Sequence, residues 1–566
     1  MSGMLLNFRL ARVTRGAAND RQRRSRFTIP ASVEGVLLVA SVFWALTANR
    51  SFFSAAVQDR PLSDVHTWGF ALALGVLLVA VHFLLLALVT NRWTVKPLLA
   101  VLIVATAIAA HFMQSYGVYL DPSMLRNVVR TDVAEARELV SWGLLPPLAV
   151  YAALPLILLW RVDIVRRPWP RAFVIRAVAV LLAAATAAVA LLLVFQPLSS
   201  MMRKHKEVRY LITPANYLWS LASVAGSDAR GATLARQPIG LDAVPGASWA
   251  TRSRPLFVVV VVGETARAAN WGLNGYQRPT TPELAALPLI SFQQVTSCGT
   301  NTEVSVPCMF APVGRRNYDA ARINASESLL HVLARAGVGV HWRDNQSGCK
   351  AVCQGLPTDS VIALDPPGLC AAGRCLDAGL LHGLDERLAQ AAGTQLLVLH
   401  QIGNHGPSYF RRYPAEYGRF TPACENDDLG RCTREEIVNA FDNALLYTDH
   451  VLASLIGKLQ AHAERIDAAV VYVSDHGESL GENNLYLHGI PYAIAPSEQT
   501  SVPMFVWLSA GLRNSTGIDL ACLQQRAQQP ASHDHLFHSL LGLLDVRTAL
   551  YEADWDLFAG CRARPA

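Results

Sequence analysis

The sequence lacks cysteine over its first 297 residues and is poor in charged residues throughout. Asp, Glu, Lys and Arg make up 16% of the 566 residues, whereas 52% are hydrophobic, a more apolar composition than that of a typical soluble protein. Internal repeats and long low-complexity tracts are also missing, and the net charge of +6 is mild. These absences exclude a repeat architecture and give no support to nucleic-acid binding.

The apolar residues are concentrated before about residue 197, in stretches long enough to cross a bilayer, which takes about 20 residues. Five such stretches in series make buried core helices a poor alternative. The first stretch is the weakest because it contains Glu34 and is followed at once by Asn49 and Arg50. The predicted spans run over Val33–Ala48, Gly69–Val89, Pro97–Met113, Leu144–Trp160 and Ala177–Phe195.

Arginine and lysine residues set the predicted orientation of these spans. Seven arginines between Arg9 and Arg26 precede the first span, and Arg92 with Lys96 separates the second from the third. Arg161, Arg166, Arg167 and Arg171 lie between the fourth and fifth spans. Because basic loops stay in the cytoplasm, everything after Phe195 is expected on the far side of the membrane.

All ten cysteines fall in this exported part. An even number of cysteines confined to an oxidising compartment indicates disulfides, while a structural metal site is disfavoured because no two CxxC pairs stand at finger spacing. Sequence alone leaves the connectivity open, and pairing between sequence neighbours is the simplest expectation. It gives Cys298–Cys308, Cys349–Cys353, Cys370–Cys375, Cys424–Cys432 and Cys522–Cys561.

The remaining pattern divides the chain into three parts. Residues 1–196 are predicted to form a basic tail and a five-helix transmembrane domain. Residues 197–254 are predicted to form a bridging helix at the membrane surface, and a loose linker is equally compatible with their sequence. From residue 255 to 566 strands and helices alternate, which predicts an α/β domain with helices on both faces of a mostly parallel sheet.

Two of the predicted strands end in groups that ligate metals. Residues 257–262 precede Glu264, and residues 470–473 precede Asp475 and His476. Because ligands in open α/β sheets bind beyond the carboxyl ends of the strands, these three side chains are expected to share one crevice. Oxygen and imidazole donors of this kind suit zinc or manganese.

A threonine is the candidate nucleophile. Thr300 lies in the segment Thr296-Ser-Cys-Gly-Thr-Asn-Thr-Glu303 and is predicted to begin a helix. Thr300 and Glu303 also fit a capping box, and most such threonines are only caps. The two roles are compatible, since a helix N-terminus stabilises a phosphoryl group. Two loop histidines, His405 and His488, each precede a glycine beside the predicted site.

At family level the chain resembles the lipid A phosphoethanolamine transferases of the alkaline phosphatase superfamily, over nearly its whole length. The motifs that carry the resemblance are Gly263-Glu-Thr-Ala-Arg-Ala-Ala-Asn270, Thr296-Ser-Cys-Gly-Thr300, Trp342-Arg-Asp-Asn-Gln-Ser-Gly-Cys-Lys350, His405-Gly-Pro407 and Ser474-Asp-His-Gly-Glu-Ser-Leu-Gly-Glu482. The resemblance implies a multi-pass enzyme of the bacterial inner membrane, with its catalytic domain in the periplasm. It would transfer phosphoethanolamine from phosphatidylethanolamine to lipid A and thereby lower the binding of cationic peptides such as polymyxin. A monomer is expected, although the sequence does not set the oligomeric state.

The resemblance also implies a role for each matching residue. Thr300 is expected to be the nucleophile and, with Glu264, Asp475 and His476, a ligand of one firmly bound zinc. His405 and His488 would bind donor phosphate or a second metal. Lys350 would lie near the donor head group, and Asn127 and Glu135 would contribute to the lipid site from the loop after the third span.

Three alternatives remain open. A sulfatase would carry cysteine or serine in a C/S-x-P-x-R frame, and the sequences around Cys308 and Cys561 do not fit it. A related transferase could act on another acceptor, such as a core sugar, a glycan or a glycerol-phosphate polymer. A catalytically inactive scaffold that binds lipid head groups is disfavoured because the predicted metal ligands and nucleophile are all present.

Overall fold

The computed structural model describes residues 28–131, 133–232, 236–371 and 373–562, apart from the side chains of residues 134, 135 and 230–232. The N-terminal arginine cluster lies outside these residues. The described chain forms two compact units. One comprises residues up to Ser115 together with Gly143–Leu218, and the other comprises Tyr116–Trp142 and the residues from Trp219 onward. The boundaries expected near residues 196 and 254 remain predictions.

The first unit is built from apolar helices. Within the described residues, four are long and apolar enough to cross a membrane, and a bent pair makes a fifth span if its two helices are counted together. The four cover Val65–Val89, Val95–Tyr116, Trp142–Arg161 and Trp169–Lys204, and the pair is Val33–Thr47 with Arg50–Val57. The prediction of a helical membrane domain is therefore confirmed, with the first span bent by 56°.

Polar residues explain both irregularities of the first span. Asn49 is fully buried at the bend, and its side-chain amide donates to the carbonyls of Trp44 at 2.9 Å and Thr213 at 2.7 Å. Glu34, whose charge weakens the span in the sequence, forms ion pairs with Arg176 at 3.2 Å and Arg167 at 3.5 Å. Pairing of this kind is what an apolar surrounding requires of a charged group.

The second unit contains a seven-stranded mixed sheet. Its strands, numbered here in chain order, are β1 (Leu256–Gly263), β2 (Ile290–Phe292), β3 (Gly339–Asp344), β4 (Thr358–Ser360), β5 (Thr394–His400), β6 (Asp467–Ser474) and β7 (Met504–Leu508). Their order across the sheet is β2-β7-β6-β1-β5-β3-β4. Strand β7 runs antiparallel to both of its neighbours, and the other pairs are parallel.

Both faces of the central strands are covered. Val258, Val260 and Val262 of β1 belong to one apolar core, and the alternating Phe257, Val259 and Val261 are buried as well. This is the pattern of a parallel strand covered on both sides. The helices of this unit include Leu329–Arg335, Arg434–Ala461 and Asp534–Leu544. The predicted α/β architecture is confirmed, with β2 and β7 pairing in antiparallel fashion.

The ten cysteines form five disulfides, each between neighbours in the sequence. Cys298 and Cys308 are fully buried in a small apolar cluster with Ala311 and Ile323. Cys370 pairs with Cys375 across a two-stranded hairpin and is only half-buried.

We expect the Cys298–Cys308 bridge to stabilise the second unit more than the Cys370–Cys375 bridge does. Replacing both cysteines of the first pair by serine loses about 2–5 kcal/mol and also buries two hydroxyls in an apolar cluster. The measurement is the thermal unfolding midpoint of the purified full-length protein, with the Cys370/Cys375 double-serine variant as the matched control. Equal midpoints for the two variants would contradict the expectation.

Candidate active site

Two neighbouring strands end beside each other and supply three potential metal ligands. Ser474, the last residue of β6, pairs with Gly263, the last residue of β1. The next residues, Glu264 and Asp475 with His476, are fully buried. One ligand atom from each of these three side chains can be chosen so that all lie within 4.8 Å of one another. The crevice predicted from the strand ends is therefore present.

The backbone around this triad is strained and closely hydrogen-bonded. Thr265, directly after Glu264, has a φ of 61°, which is a costly conformation for a β-branched residue. The conformation directs the Thr265 N–H toward Asp475 Oδ1 at 3.2 Å, and the His476 N–H donates to the same oxygen at 2.7 Å. One oxygen of Asp475 is thus fixed by the backbone.

The other atoms of the triad face each other. His476 Nε2 lies 3.3 Å from Glu264 Oε1 and 3.4 Å from Asp475 Oδ2. Asp475 Oδ2 is buried and accepts no hydrogen bond from any described residue. A buried, unpartnered carboxylate oxygen facing an imidazole and a second carboxylate fits a divalent cation, and this donor set suits zinc.

The electrostatics of the triad show the same need for a cation. Burial and the repulsion of Glu264 raise the pKa of Asp475 to about 6. Burial by itself would lower the pKa of His476, but the charges of Asp475 and Glu264 outweigh it and raise that pKa to about 10. One imidazolium therefore offsets only part of the negative charge of two buried carboxylates.

The threonine that meets the triad is Thr302, not Thr300. Thr302 Oγ1 lies 3.1 Å from Glu264 Oε2 and 3.4 Å from His476 Nε2. The hydroxyl of Thr300 donates instead to the Ile490 carbonyl at 2.7 Å. The structure does not bring Thr300 to the position that the sequence analysis gave it.

Local helix capping explains this difference. The helix runs over Thr302–Met309, and its N-cap is Asn301, whose side chain accepts a hydrogen bond from the Val304 N–H. The predicted capping box of Thr300 with Glu303 is therefore wrong, because the N-cap is Asn301, one residue later than predicted. Thr302 is its first residue, where the free N–H groups and the helix dipole favour an anion.

The two predicted histidines lie beside the triad. The rings of His476 and His488 have centroids 4.4 Å apart, and those of His488 and His405 are 5.6 Å apart. His488 Nδ1 is 2.8 Å from Glu478 Oε2. Glu478 was not singled out from the sequence, although it follows His476 by two residues.

Lys350 contacts Glu303, the residue that follows Thr302. Its ammonium group is 3.2 Å from Glu303 Oε1 and donates to Ser347 Oγ at 2.6 Å. Glu303, directly after Thr302, also pairs with Arg130 at 2.9 Å. A lysine and an arginine therefore lie beside the first turn of the threonine helix, where they can add to its attraction for anions.

One helix of the segment between the third and fourth spans lies near this site. Asn127 is half-buried in the helix Pro122–Arg130, and this helix packs against the helix that begins at Thr302. The Glu135 side chain lies outside the described residues. A further contact came from a residue without a predicted role: Gln346 Nε2 donates to Glu264 Oε2 at 3.2 Å.

Comparison with known proteins gives a consistent result. A family model described as Sulfatase matches residues 257–546, and one described as Phosphoethanolamine transferase EptA/EptB matches residues 78–229. Phosphoethanolamine transferase EptA of Escherichia coli K12 is 37% identical over 93% of this chain and 96% of that protein. Phosphatidylethanolamine transferase Mcr-1 of Escherichia coli is 37% identical over 91% of this chain and 96% of that protein.

A more distant relative and a solved structure extend the comparison. The Kdo(2)-lipid A phosphoethanolamine 7''-transferase of Escherichia coli K12 is 28% identical over 82% of this chain and 85% of that protein. The integral membrane protein lipooligosaccharide phosphoethanolamine transferase A (EptA) from Neisseria meningitidis superposes with a TM-score of 0.90 and 37% identity, covering 95% of this chain and all of that one. The chain therefore belongs to the phosphoethanolamine transferase family, as a multi-pass membrane protein whose periplasmic catalytic domain has the sulfatase fold of the alkaline phosphatase superfamily.

Proposed function

We propose that this enzyme transfers phosphoethanolamine from phosphatidylethanolamine to a phosphate of lipid A, and that Thr302 carries the group between the two lipids. The names of the relatives that act on phosphatidylethanolamine and on Kdo(2)-lipid A support the donor and the acceptor. One observation carries the covalent route: a buried threonine hydroxyl lies 3.1 Å from Glu264 at the first residue of a helix.

The proposed reaction has two steps. In the first, Thr302 Oγ1 attacks the donor phosphorus, the bond from phosphorus to the diacylglycerol oxygen breaks, and diacylglycerol leaves with a proton. In the second, an acceptor phosphate oxygen attacks the same phosphorus and the bond to Thr302 breaks, so that the hydroxyl regains a proton. Glu264 Oε2, which already accepts the Thr302 hydrogen bond, is the nearest described group to hold that proton.

We propose that zinc binds at Glu264, Asp475 and His476, with Thr302 as the remaining protein ligand. A bound zinc ion lowers the pKa of a hydroxyl and neutralises charge on phosphate oxygens. The free N–H groups at the start of the Thr302 helix would stabilise the remaining phosphoryl charge. Positioning and charge neutralisation of this kind account for most of the catalysis in phosphoryl transfer.

The surrounding residues are proposed to bind the donor. His405 and His488 face the triad on one side and would contact the donor phosphate or hold a second metal. Lys350 would bind the same phosphate from the other side, exchanging its contact with Glu303. Asn127 and Glu135 remain proposed contributors to the lipid site.

The proposed product would change the charge of the membrane surface. Attachment of phosphoethanolamine to a lipid A phosphate adds an ammonium group beside an existing negative charge. A membrane surface with fewer net negative charges attracts polycations less strongly, so we propose that the modification lowers the binding of polymyxin and similar peptides. The same chemistry on a glycan or glycerol-phosphate acceptor is the alternative, and mass spectrometry of lipid A from cells with and without the gene separates the two.

Replacing Thr302 by alanine is expected to lower transfer by about a thousandfold or more, because a covalent nucleophile cannot be bypassed. The protein should remain folded, since Asn301 provides the cap. Thr302→Ser keeps a hydroxyl and should retain part of the activity. Intact-mass analysis after incubation with phosphatidylethanolamine is the measurement: wild type should carry a phosphoethanolamine adduct on the peptide that contains Thr302, and Thr302→Ala should carry none.

Thr300→Ala is the matched control, because the two threonines are separated by one residue and both are buried. It loses a single hydrogen bond to Ile490, worth about 1 kcal/mol of stability, and should still form the adduct. An adduct that disappears in Thr300→Ala but persists in Thr302→Ala would contradict the assignment.

Loss of a triad ligand is expected to remove the metal. Asp475→Asn and His476→Ala should each lower the zinc content of the purified protein, because either change leaves too few donors in one crevice. Elemental analysis of the variants measures this without reference to activity. His533→Ala is the control, since His533 is equally buried but bonds to the Ser474 carbonyl at 2.9 Å instead of joining the triad. Unchanged zinc in both triad variants would refute the site.

A further inference from the structure

A polar cavity lies beside the catalytic site within the same unit. It has a volume of about 630 Å³ and is lined by the side chains of four arginines. They come from the helix Val133–Leu139, the hairpin that contains Cys370 and Cys375, and the loop after β5. These arginines are Arg137, Arg374, Arg411 and Arg412.

The cavity carries an excess of positive charge. Facing the four guanidinium groups are three carboxylates, those of Glu138, Asp427 and Asp344. Asp344 lies 2.8 Å from His400 Nδ1. Burial by itself would lower the pKa of His400, but the Asp344 carboxylate outweighs it and raises that pKa. Among the described lining residues, four guanidinium groups against three carboxylates leave a positive excess, which favours a phosphate group that carries about −1.5 to −2 near pH 7.

Three of the four arginines are held in place by described residues. Arg412 is almost fully buried, and it donates to the His405 carbonyl at 2.7 Å and to Glu138 at 2.6 Å. Glu138 also pairs with Arg374, while Arg411 pairs with Asp427 at 2.9 Å. A guanidinium group has five N–H donors, and Arg411 contacts Asp427 through Nη2, so its other N–H groups can bind a phosphate oxygen.

The cavity reaches the catalytic triad through two residues of its wall. Gln346 lines the cavity and donates to Glu264 at 3.2 Å. His405 also lines it, and the His405 ring is 5.6 Å from that of His488. A group bound among the arginines would therefore lie on the His405 side of the reacting phosphorus.

We propose that this arginine cavity binds the phosphate group of the acceptor lipid. The inference rests on the proposed function and names the subsite for its second step. In that step a phosphate oxygen of the acceptor forms a bond to the phosphorus held on Thr302, the bond to Thr302 breaks, and the proton on the acceptor phosphate passes to the threonine oxygen. Two phosphate groups must approach each other, and their repulsion requires cations in addition to those at the triad.

The charge of each substrate assigns the cavity to the acceptor instead of the donor. The donor brings one phosphodiester charge, which its own ammonium group offsets, and its leaving group is an uncharged diacylglycerol. The acceptor alone adds a phosphate with up to two charges. Paired guanidinium groups are the side chains best suited to bind such a group.

The experiment separates the two half-reactions in the full-length protein. Diacylglycerol release from fluorescent phosphatidylethanolamine without acceptor reports the first step, and transfer to purified lipid A that carries phosphate reports the second. The variants are Arg374→Gln and Arg411→Gln, which are chosen so that the protein stays folded. In Arg374→Gln, Glu138 still pairs with Arg412. In Arg411→Gln, the replaced side chain is half-exposed. Arg411→Lys tests rescue by charge, and Arg322→Gln, at an exposed helix position outside the cavity, is the control.

We expect the KM for lipid A to rise about tenfold in each glutamine variant, the loss of one charge-assisted contact, and to recover in part in Arg411→Lys. Diacylglycerol release should stay within about twofold of the control. A KM equal to that of Arg322→Gln would overturn the inference alone, and a parallel loss of diacylglycerol release would assign the cavity to the donor. A wild-type protein that releases diacylglycerol but leaves lipid A unmodified would overturn the proposed acceptor and the subsite with it.

Discussion

The parallel pairing of β1 with β6 is the constraint on which the rest of the site depends. It ends both strands at the same level and brings Glu264 and Asp475 together in a region closed to water. Two unit charges about 4 Å apart repel by about 4 kcal/mol at an effective dielectric constant of 20. The imidazolium of His476 offsets part of this repulsion. A divalent cation held by all three side chains would replace the imidazole proton and bring two positive charges. The site is therefore built around a positive charge that the protein side chains do not fully supply.

The same electrostatic logic extends outward from the triad. The N-terminus of the helix that begins at Thr302 lies where a phosphoryl group on Thr302 would be held. Lys350 and Arg130 each form an ion pair with Glu303, in the first turn of this helix. On the opposite side, Glu138 holds two arginines in the wall of the adjacent cavity. Acidic residues that keep cations ordered until an anion arrives recur on both sides, which suits an enzyme whose two substrates both present phosphate.

Much of this arrangement could be predicted from the sequence, because each metal-ligating residue directly follows a strand that its own neighbours in the sequence identify. Unbroken β-branched runs give the buried strands, and the residue that follows each run must lie at the sheet edge, so Glu264, Asp475 and His476 were identified directly. The threonine could not be chosen in this way. Thr300 and Thr302 both follow Gly299 closely, and which of them lies at the start of the helix depends on which residue is its N-cap. Asn301 takes the cap. The arginine cavity was also missed, since its residues are distant in the sequence and no motif unites them.

The central claim is that Thr302 and the triad form one metal-binding constellation. X-ray diffraction from zinc-containing crystals of the full-length protein, recorded on both sides of the zinc absorption edge, tests it most directly. The account predicts an anomalous peak enclosed by Glu264, Asp475 and His476, with Thr302 Oγ1 as the fourth protein ligand at about 2 Å, in the range of oxygen–zinc bonds. A peak at another position, or one ligated by Thr300 in place of Thr302, would contradict it.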